Sequence, residues 1–420
     1  MSDKDKSVKK SPNSPNYFPK LRFPEFVENW ESNKLGDVSN NIMYGMNAAA
    51  TNYDGENKYI RITDIDESTR LFNPNPLCSP KGNLESKYLL NEGDVLFTRT
   101  GASVGKSYLY NKNDGNVFFA GFLIRFNIKN NNPYFIFSQT LTYEYEKWVL
   151  SMSMRSGQPG INAEEYKSLP IHITTIEEQN KIANFLFLLD SRIECSMKTI
   201  NQLNSQIEIL VNLFMEEKLK LKGSYEKWKT FKLAEIGETF NGLTGKSKED
   251  FGSGKRYIQY KQIFDSRTID INECGFVEID ENENQSKVKF GDAFFTVSSE
   301  TANEIGMSSV LLQEVDDTYM NSFCFGFRTF SHTALNPKFA SFLFRSKVFR
   351  NTIVKLAQGS TRYNMSKNEF LKLKINLPTE SEQIKISNIL ASLSEKLETE
   401  KRILALLEQQ KKYFLQNLFI

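Results

Sequence analysis

Apolar positions recur in this chain with two different periods. Short runs rich in β-branched and aromatic residues, bounded by Gly, Asn and Asp, predict strands. They are KYIRI at 58–62, DVLFT at 94–98, NVFFAGFLIRFNI at 116–128, AFFTV at 293–297 and NSFCFGFRTF at 321–330. Helical stretches follow at 133–149 and 337–357, opened by Asn132-Pro133 and Asn336-Pro337. Asn can cap a helix and Pro fits its first turn. The longer period is a heptad. Its first seam is Ile182, Leu186, Leu189, Ile193, Ser196, Ile200, Leu203, Ile207, Leu210, Phe214, Glu217 and Leu221. Its second is Ile386, Leu390, Leu393, Leu397, Glu400, Leu404, Leu407, Lys411, Phe414 and Leu418. Ten of the twelve and eight of the ten are apolar, which predicts a long coiled-coil helix in each half. About 45 residues of helix would span roughly 65 Å. Ser196 and Glu400 interrupt the seams 204 residues apart. Two readings of that position stand: a polar core residue that fixes register, or a residue facing solvent near a crossing point.

The halves repeat each other. Trp30-x4-Leu35 recurs as Trp228-x4-Leu233, and EGDVLFTRT (92–100) as FGDAFFTVS (290–298), both at an offset of 198. Val104-Gly105 recurs as Ile305-Gly306, SGQPGIN (156–162) as QGSTRYN (358–364), and LPIHITTIEEQNKI (169–182) as LKINLPTESEQIKI (373–386). The order never changes. A period near 200 residues is a domain duplication and not a solenoid. Two equal seams in one chain most simply pack on each other, and a two-fold relation between the halves requires them antiparallel. The expected fold class is mixed α/β: two mixed α/β globules separated by two long antiparallel coiled-coil helices, a pseudo-two-fold internal duplication. Such a molecule measures distance along something two-fold in its backbone, and duplex DNA is the obvious candidate.

Composition narrows this little. The 420 residues carry a formal net charge of +2, which excludes a histone-like wrapping protein but not local basic patches. The cysteines, Cys78, Cys195, Cys274 and Cys324, form no CxxC pair and no disulfide framework. The histidines are His172 and His332 only. A zinc or histidine-based catalyst is poorly supplied, and both are read as structural. The longest apolar stretch, VFFAGFLI, has eight residues, against roughly 18 needed to span a bilayer. The N-terminus has no apolar h-region, so the expected compartment is the reducing cytoplasm.

The opening PKLRFPEF (19–26), W-x4-LGDV, GDVLFTRTGASVGK (93–106), SGQPGIN and IEEQNKIANFLFLLD (176–190) resemble a type I restriction–modification specificity subunit. The resemblance runs from about residue 17 to the C-terminus. The Lys-, Ser-, Asn- and Pro-rich tail (1–18) is expected to be disordered, and the resemblance implies target-recognition domain 1 (19–174), spacer helix 1 (175–222), target-recognition domain 2 (223–378) and spacer helix 2 (379–420). Each domain would read one half of an asymmetric, bipartite sequence in double-stranded DNA. The helices would set the gap and dock two modification (methyltransferase) subunits, and restriction (translocase and nuclease) subunits would join them. This chain would be no enzyme. S-adenosylmethionine, ATP and magnesium are expected on the partners, and no cofactor or metal on this chain. Rival readings are a scaffold that reads no DNA, an inactive relic of the family, and a fused adenine methyltransferase.

Several motifs need a plainer reading beside the functional one. GASVGKS (101–107) and GLTGKS (242–247) are shorter than a Walker loop, which needs four residues between its glycines to surround a phosphate; a glycine-rich turn after a strand is preferred. NNPY (131–134) is similar to an adenine methyltransferase motif with a proline missing, and LNPKF (335–339) shows it to be a helix start. Base flipping would then belong to a partner. Asp64 and Asp66 read as a solvated turn, not a metal pair.

Phosphate contacts supply affinity and salt dependence; base reading needs directional edges, such as Arg to guanine or Asn and Gln to adenine. In the first copy the candidates are Thr98, Arg99, Thr100 and Ser103, then Arg155, Ser156, Gln158 and Asn162. Arg99 and Lys106 are candidates for phosphate contact. In the second copy they are Arg256, Tyr257, Gln259, Lys261, Ser298 and Ser299, then Ser360, Thr361, Arg362 and Tyr363. Asn162 and Asn364 align between the copies, which favours caps or turn residues over base readers.

Overall fold

The computed structural model describes residues 18–223, 226–280, 282–359 and 362–420. The polar tail read at 1–18 lies outside them except for Phe18, as do Ser360 and Thr361. The described residues up to Ser196, with Ile403–Ile420, form one compact unit, and Met197–Arg402 form the other.

In the first unit the chain runs β1 (Glu31–Lys34), β2 (Ser39–Tyr44), β3 (Ala50–Asn52), β4 (Lys58–Ile60), β5 (Cys78–Pro80), β6 (Asp94–Thr98), β7 (Ser107–Leu109), β8 (Val117–Phe119), β9 (Leu123–Ile128), α1 (Pro133–Gln139), α2 (Tyr143–Ser153), α3 (Ala163–Lys167), β10 (Pro170–Ile173) and α4 (Ile176–Met215). The central sheet is antiparallel, in the order β2-β9-β6-β7. DVLFT is buried at every position, Asp94 and Thr98 included, because both faces of this sheet are covered. Val95 and Phe97 face a core containing Trp30, Phe126 and Tyr166. Leu96, between them, faces a second core with Ile60 and Phe119.

The second unit repeats the plan: β11 (Lys229–Lys232), α5 (Leu233–Ile236), β12 (Gly237–Asn241), β13 (Phe251–Ile258), α6 (Tyr260–Asp265), β14 (Gly275–Val277), β15 (Ala293–Thr296), β16 (Ser298–Ser299), β17 (Ser308–Val310), β18 (Thr318–Met320), β19 (Cys324–Thr329), α7 (Pro337–Leu343), α8 (Lys347–Ile353), β20 (Tyr363–Asn364), α9 (Lys367–Leu371), β21 (Lys374–Leu377) and α10 (Glu380–Asn417). Its sheet order is β12-β19-β15-β17. Phe295 and Phe294 face opposite cores, as Phe97 and Leu96 do.

The two stretches read as single helices at 133–149 and 337–357 are each broken. Thr142 and Ser346 start new helices by accepting from the Tyr145 and Phe349 N–H groups, both at 3.3 Å. Asn132 and Asn336 do cap, with Pro133 and Pro337 in the first turn. The EQ pair then ties each long helix to that cap. The Asn132 N–H donates to Gln179 Oε1 at 3.0 Å, and the Asn336 N–H to Gln383 Oε1 at 2.8 Å.

The long helices have 40 and 38 residues. The first stops short of the seam read to Leu221. Glu217 adopts a left-handed φ of 56°, and the Lys218 and Leu219 N–H groups both donate to the Leu213 carbonyl, which closes the last turn. Within each unit the start of one long helix meets the end of the other, the antiparallel order expected. In the first, Phe185 packs edge-on against Phe414 at 4.7 Å, and Lys411 pairs with Asp190 at 2.6 Å. In the second, Leu203, Ile207 and Phe214 share a core with Ile386, Leu390 and Leu397. Ser196 is buried and Glu400 half-buried, so Ser196 fits the polar-core reading and not the solvent-facing one.

Candidate nucleic-acid interface

The two loops singled out in each copy come together in space. In the first unit the Ile161 N–H donates to the Arg99 carbonyl at 2.9 Å, the Gly101 N–H donates to Pro159 at 3.0 Å, and Thr100 bridges Gly160. In the second the Met365 N–H donates to the Val297 carbonyl at 3.0 Å, and Ser298-Ser299 pairs with Asn364-Tyr363. Position 99 matches 297, and 161 matches 365, so one backbone frame carries different side chains.

The phosphate-loop look-alike is a turn between antiparallel strands β6 and β7. Gly105 takes a φ of 86° there, and Gly306 one of 63° in the matching turn that leads into β17. A Cβ on either would meet Val149 or Ile353, the same position of α2 and α8. Thr98 is wholly buried; its hydroxyl donates to the Ser103 carbonyl and accepts from the Lys106 N–H at 3.0 Å. Thr296 repeats this with Met307 at 3.0 Å. Lys106, expected near a phosphate, is turned inward. Its ammonium donates to the Ile65 carbonyl at 3.1 Å and pairs with Glu67 at 2.6 Å. Thr98 and Lys106 are therefore committed to the fold.

The other candidates divide. Arg155 is clamped on Glu165, with one bond of 2.6 Å. Burial opposes the ionised form of Glu165, but Arg155 and the Asn162 N–H outweigh it and hold that carboxyl below its ordinary pKa. Ser156 and Gln158 are exposed, and Ser103 is half-exposed. Asn162 stands before α3 and caps it, and its counterpart before α9 is Ser366; Asn364 is a strand residue, so the alignment of Asn162 with Asn364 does not hold. Ser298 and Ser299 are buried, and Ser299 Oγ bonds Glu304 at 3.2 Å. Tyr260, the first residue of α6, donates to the Ser298 carbonyl at 3.0 Å, while the preceding Gln259 is exposed with its side-chain amide beside Gly275 in β14. Burial pushes the Tyr260 hydroxyl pKa up. Arg362 is exposed and Tyr363 half-buried. Arg256 and Tyr257 lie instead in the three-stranded sheet β14-β13-β18. Lys261 is exposed on α6 and paired with Asp265, which raises its pKa.

The segment 246–267 carries Lys246, Lys248, Lys255, Arg256, Lys261 and Arg267, and most of these cations are neutralised or at least half-buried. Lys246 pairs with Glu283, and Lys255 with Asp317 at 2.9 Å. Arg267 is half-buried with its guanidinium over the Phe342 ring at 4.0 Å, and desolvation lowers its pKa to about 10. Asp64 is not solvated but buried, in an ion pair with Arg61 at 2.8 Å, while Asp66 accepts from the Ser68 and Thr69 N–H groups. Among the described residues no group of three or more His, Cys, Asp or Glu is placed to hold a metal, and no helix is long and apolar enough to cross a membrane.

One contact was not legible beforehand. The Arg99 guanidinium lies over the Tyr44 ring at 4.9 Å, and the Ala163 N–H donates to the Tyr44 hydroxyl at 3.0 Å. Tyr44 is in β2, far from Arg99 in sequence, and its neighbours carry no pattern that announces it.

A duplicated α/β globule with paired loops at one place in each copy, and a long helix closing each, defines the class. The family described as the type I restriction modification DNA specificity domain matches residues 27–205 and 225–409, and the chain belongs to it. It is 25% identical over 349 residues to the type I restriction enzyme MjaVIII specificity subunit of Methanocaldococcus jannaschii, covering 77% of each chain. It is 29% identical over 233 residues to the putative MjaX specificity subunit of the same organism, covering 53% of this chain and 52% of that one. In fold it is similar to the type I restriction–modification S subunit from M. genitalium, with a TM-score of 0.62 at 16% identity, covering 96% and 99% of the two chains. A chain from a type I R-M system, studied for complex assembly and conformational transition, matches with a TM-score of 0.53 at 16% identity, covering 93% and 96%.

Proposed function

We propose that this specificity subunit reads a bipartite, asymmetric sequence in double-stranded DNA, one half with each globule. The carrying observation is the common loop frame with unlike side chains: Arg99 against Val297, and Arg155 to Gln158 against the segment ending in Arg362 and Tyr363. A shared frame sets the same approach to DNA, and unlike side chains ask for different bases. Contacts to phosphates position such a protein, and contacts to base edges specify the sequence.

The chain contributes recognition and no chemistry. Its long helices set the gap between the half-sites and dock two modification subunits. Those partners supply adenine methylation with S-adenosylmethionine. Restriction subunits add translocation and cleavage, with ATP and magnesium. Free exposed donors for DNA are Ser156, Gln158, Arg256, Gln259 and Arg362, with Arg99 at the rim.

Replacing 225–375 by the second globule of another family member tests this. The swapped complex is expected to change one half-site and keep the other. A change in both halves together contradicts separate reading.

A further inference from the structure

Every other described arginine between residues 19 and 174 is already engaged in an ion pair. Arg22 binds Glu178, Arg61 binds Asp64, Arg70 pairs with Glu67, and Arg155 binds Glu165. Arg125 is buried beside Asp94 at 3.8 Å. Arg99 differs. Among the described residues its guanidinium has no hydrogen-bonded or ionic partner, although it is only half-exposed.

It is nevertheless held still. The Arg99 N–H donates to the Phe122 carbonyl at 3.1 Å, and the Arg99 carbonyl accepts from Ile161 at 2.9 Å. The guanidinium rests on the Tyr44 ring, and that ring is fixed by the Ala163 N–H at the start of α3. Stacking on an aromatic face leaves the planar edge and its N–H donors pointing outward. A pre-organised fork matches the O6 and N7 acceptors of guanine in the major groove. The second globule has no such pair. Asn241, at the end of β12 as Tyr44 is at the end of β2, and Val297 stand at the corresponding places.

We propose that Arg99 reads a guanine in the first half-site, with Tyr44 as its positioning residue. The assignment rests on the half-site reading above. It makes Arg99 a base reader and not a phosphate contact, and it makes the first half-site differ from the second through this stack.

The test uses the full chain assembled with the modification subunits of its own system. Binding is measured to duplexes in which each base pair of the first half-site is changed in turn. For Arg99→Gln and Arg99→Lys, discrimination is expected to fall about tenfold to a hundredfold at a single guanine. The other positions and the second half should be unchanged. Lysine keeps the charge but lacks the fork, so a phosphate contact would survive Arg99→Lys. Tyr44→Ala should lose discrimination at the same guanine, and Tyr44→Phe, which keeps the stacked ring but not its bond to Ala163, should lose less. The proposal is overturned by a first half-site without guanine. It is also overturned if Arg99→Gln weakens all sequences equally with a shallower salt dependence, or leaves discrimination intact. A wild-type complex with no two-part preference would instead overturn the half-site reading itself, and this assignment with it.

Discussion

The Tyr145 hydroxyl donates to the Gly105 carbonyl at 2.7 Å. The second copy places Phe349, which has no hydroxyl, at the position of Tyr145. There Arg350 does the same work, donating to the Gly306 carbonyl at 2.8 Å and to Asn303 at 2.7 Å. The turn is kept in both copies and the chemistry holding it is not. Tyr145→Phe should therefore destabilise the first unit by about 1–2 kcal/mol, because a buried carbonyl loses its donor. Arg350→Met should cost more in the second unit, since two carbonyls are freed. Denaturant midpoints of the two variants check this.

Arg22 and Glu178 join the opening segment to the first turn of α4. Two bonds of 2.7 Å link them, and Trp30 Nε1 donates to the same carboxylate at 3.2 Å. Glu178 is fully buried. Arg22→Met leaves that charge without its main partner, and the expected loss is about 3 kcal/mol or more. Arg22→Met with Glu178→Gln should recover part of it, as measured by thermal unfolding.

Asp66 should report on pH. The Thr69 N–H, with the Thr69 and Ser68 hydroxyls and the Ser68 N–H, holds its pKa down to about 2 against burial. Unfolded, it titrates near roughly 3.9. Its folded pKa is the lower one, so its stabilisation is complete above the unfolded value and is lost as pH falls toward 2. Asp66→Ala should lower Tm at pH 7 by roughly 2–4 °C, for a loss of about 1 kcal/mol. That gap should narrow steadily below pH 4.

Lys106→Met separates inward from outward residues. The ammonium serves Ile65 and Glu67, so the variant should lose stability while keeping the recognised sequence and the salt dependence of DNA binding. Binding to a matched site across a salt series measures the second part.

The duplication was legible because it is written in residues whose spacing is structural. Asp94 and Asp292 each sit after a glycine with positive φ and accept from the N–H three residues back, Asn91 and Lys289. Asn132 and Asn336 were readable as caps for the same local reason. The breaks at Thr142 and Ser346 were not, since both neighbouring segments are helical by pattern. The helix end at Glu217 was hidden by an apolar seam that continues past it. The site was harder. Polar residues after a strand look alike in sequence whether they face solvent or core. Thr98 and Lys106 turn inward because Gly105 folds the loop back on α2. The contact of Arg99 with Tyr44 depends on the pairing of β2 with β9 and β9 with β6, and strand pairing between distant segments is not local information.

The central claim is that each globule reads one half of a divided site. The most direct measurement is a map of methylated adenines across the genome of cells making this chain with its modification subunits, against cells lacking it. The account predicts a two-part motif with a fixed gap that disappears in the deletion. An unchanged map, with the chain expressed and bound to its partners, would contradict it.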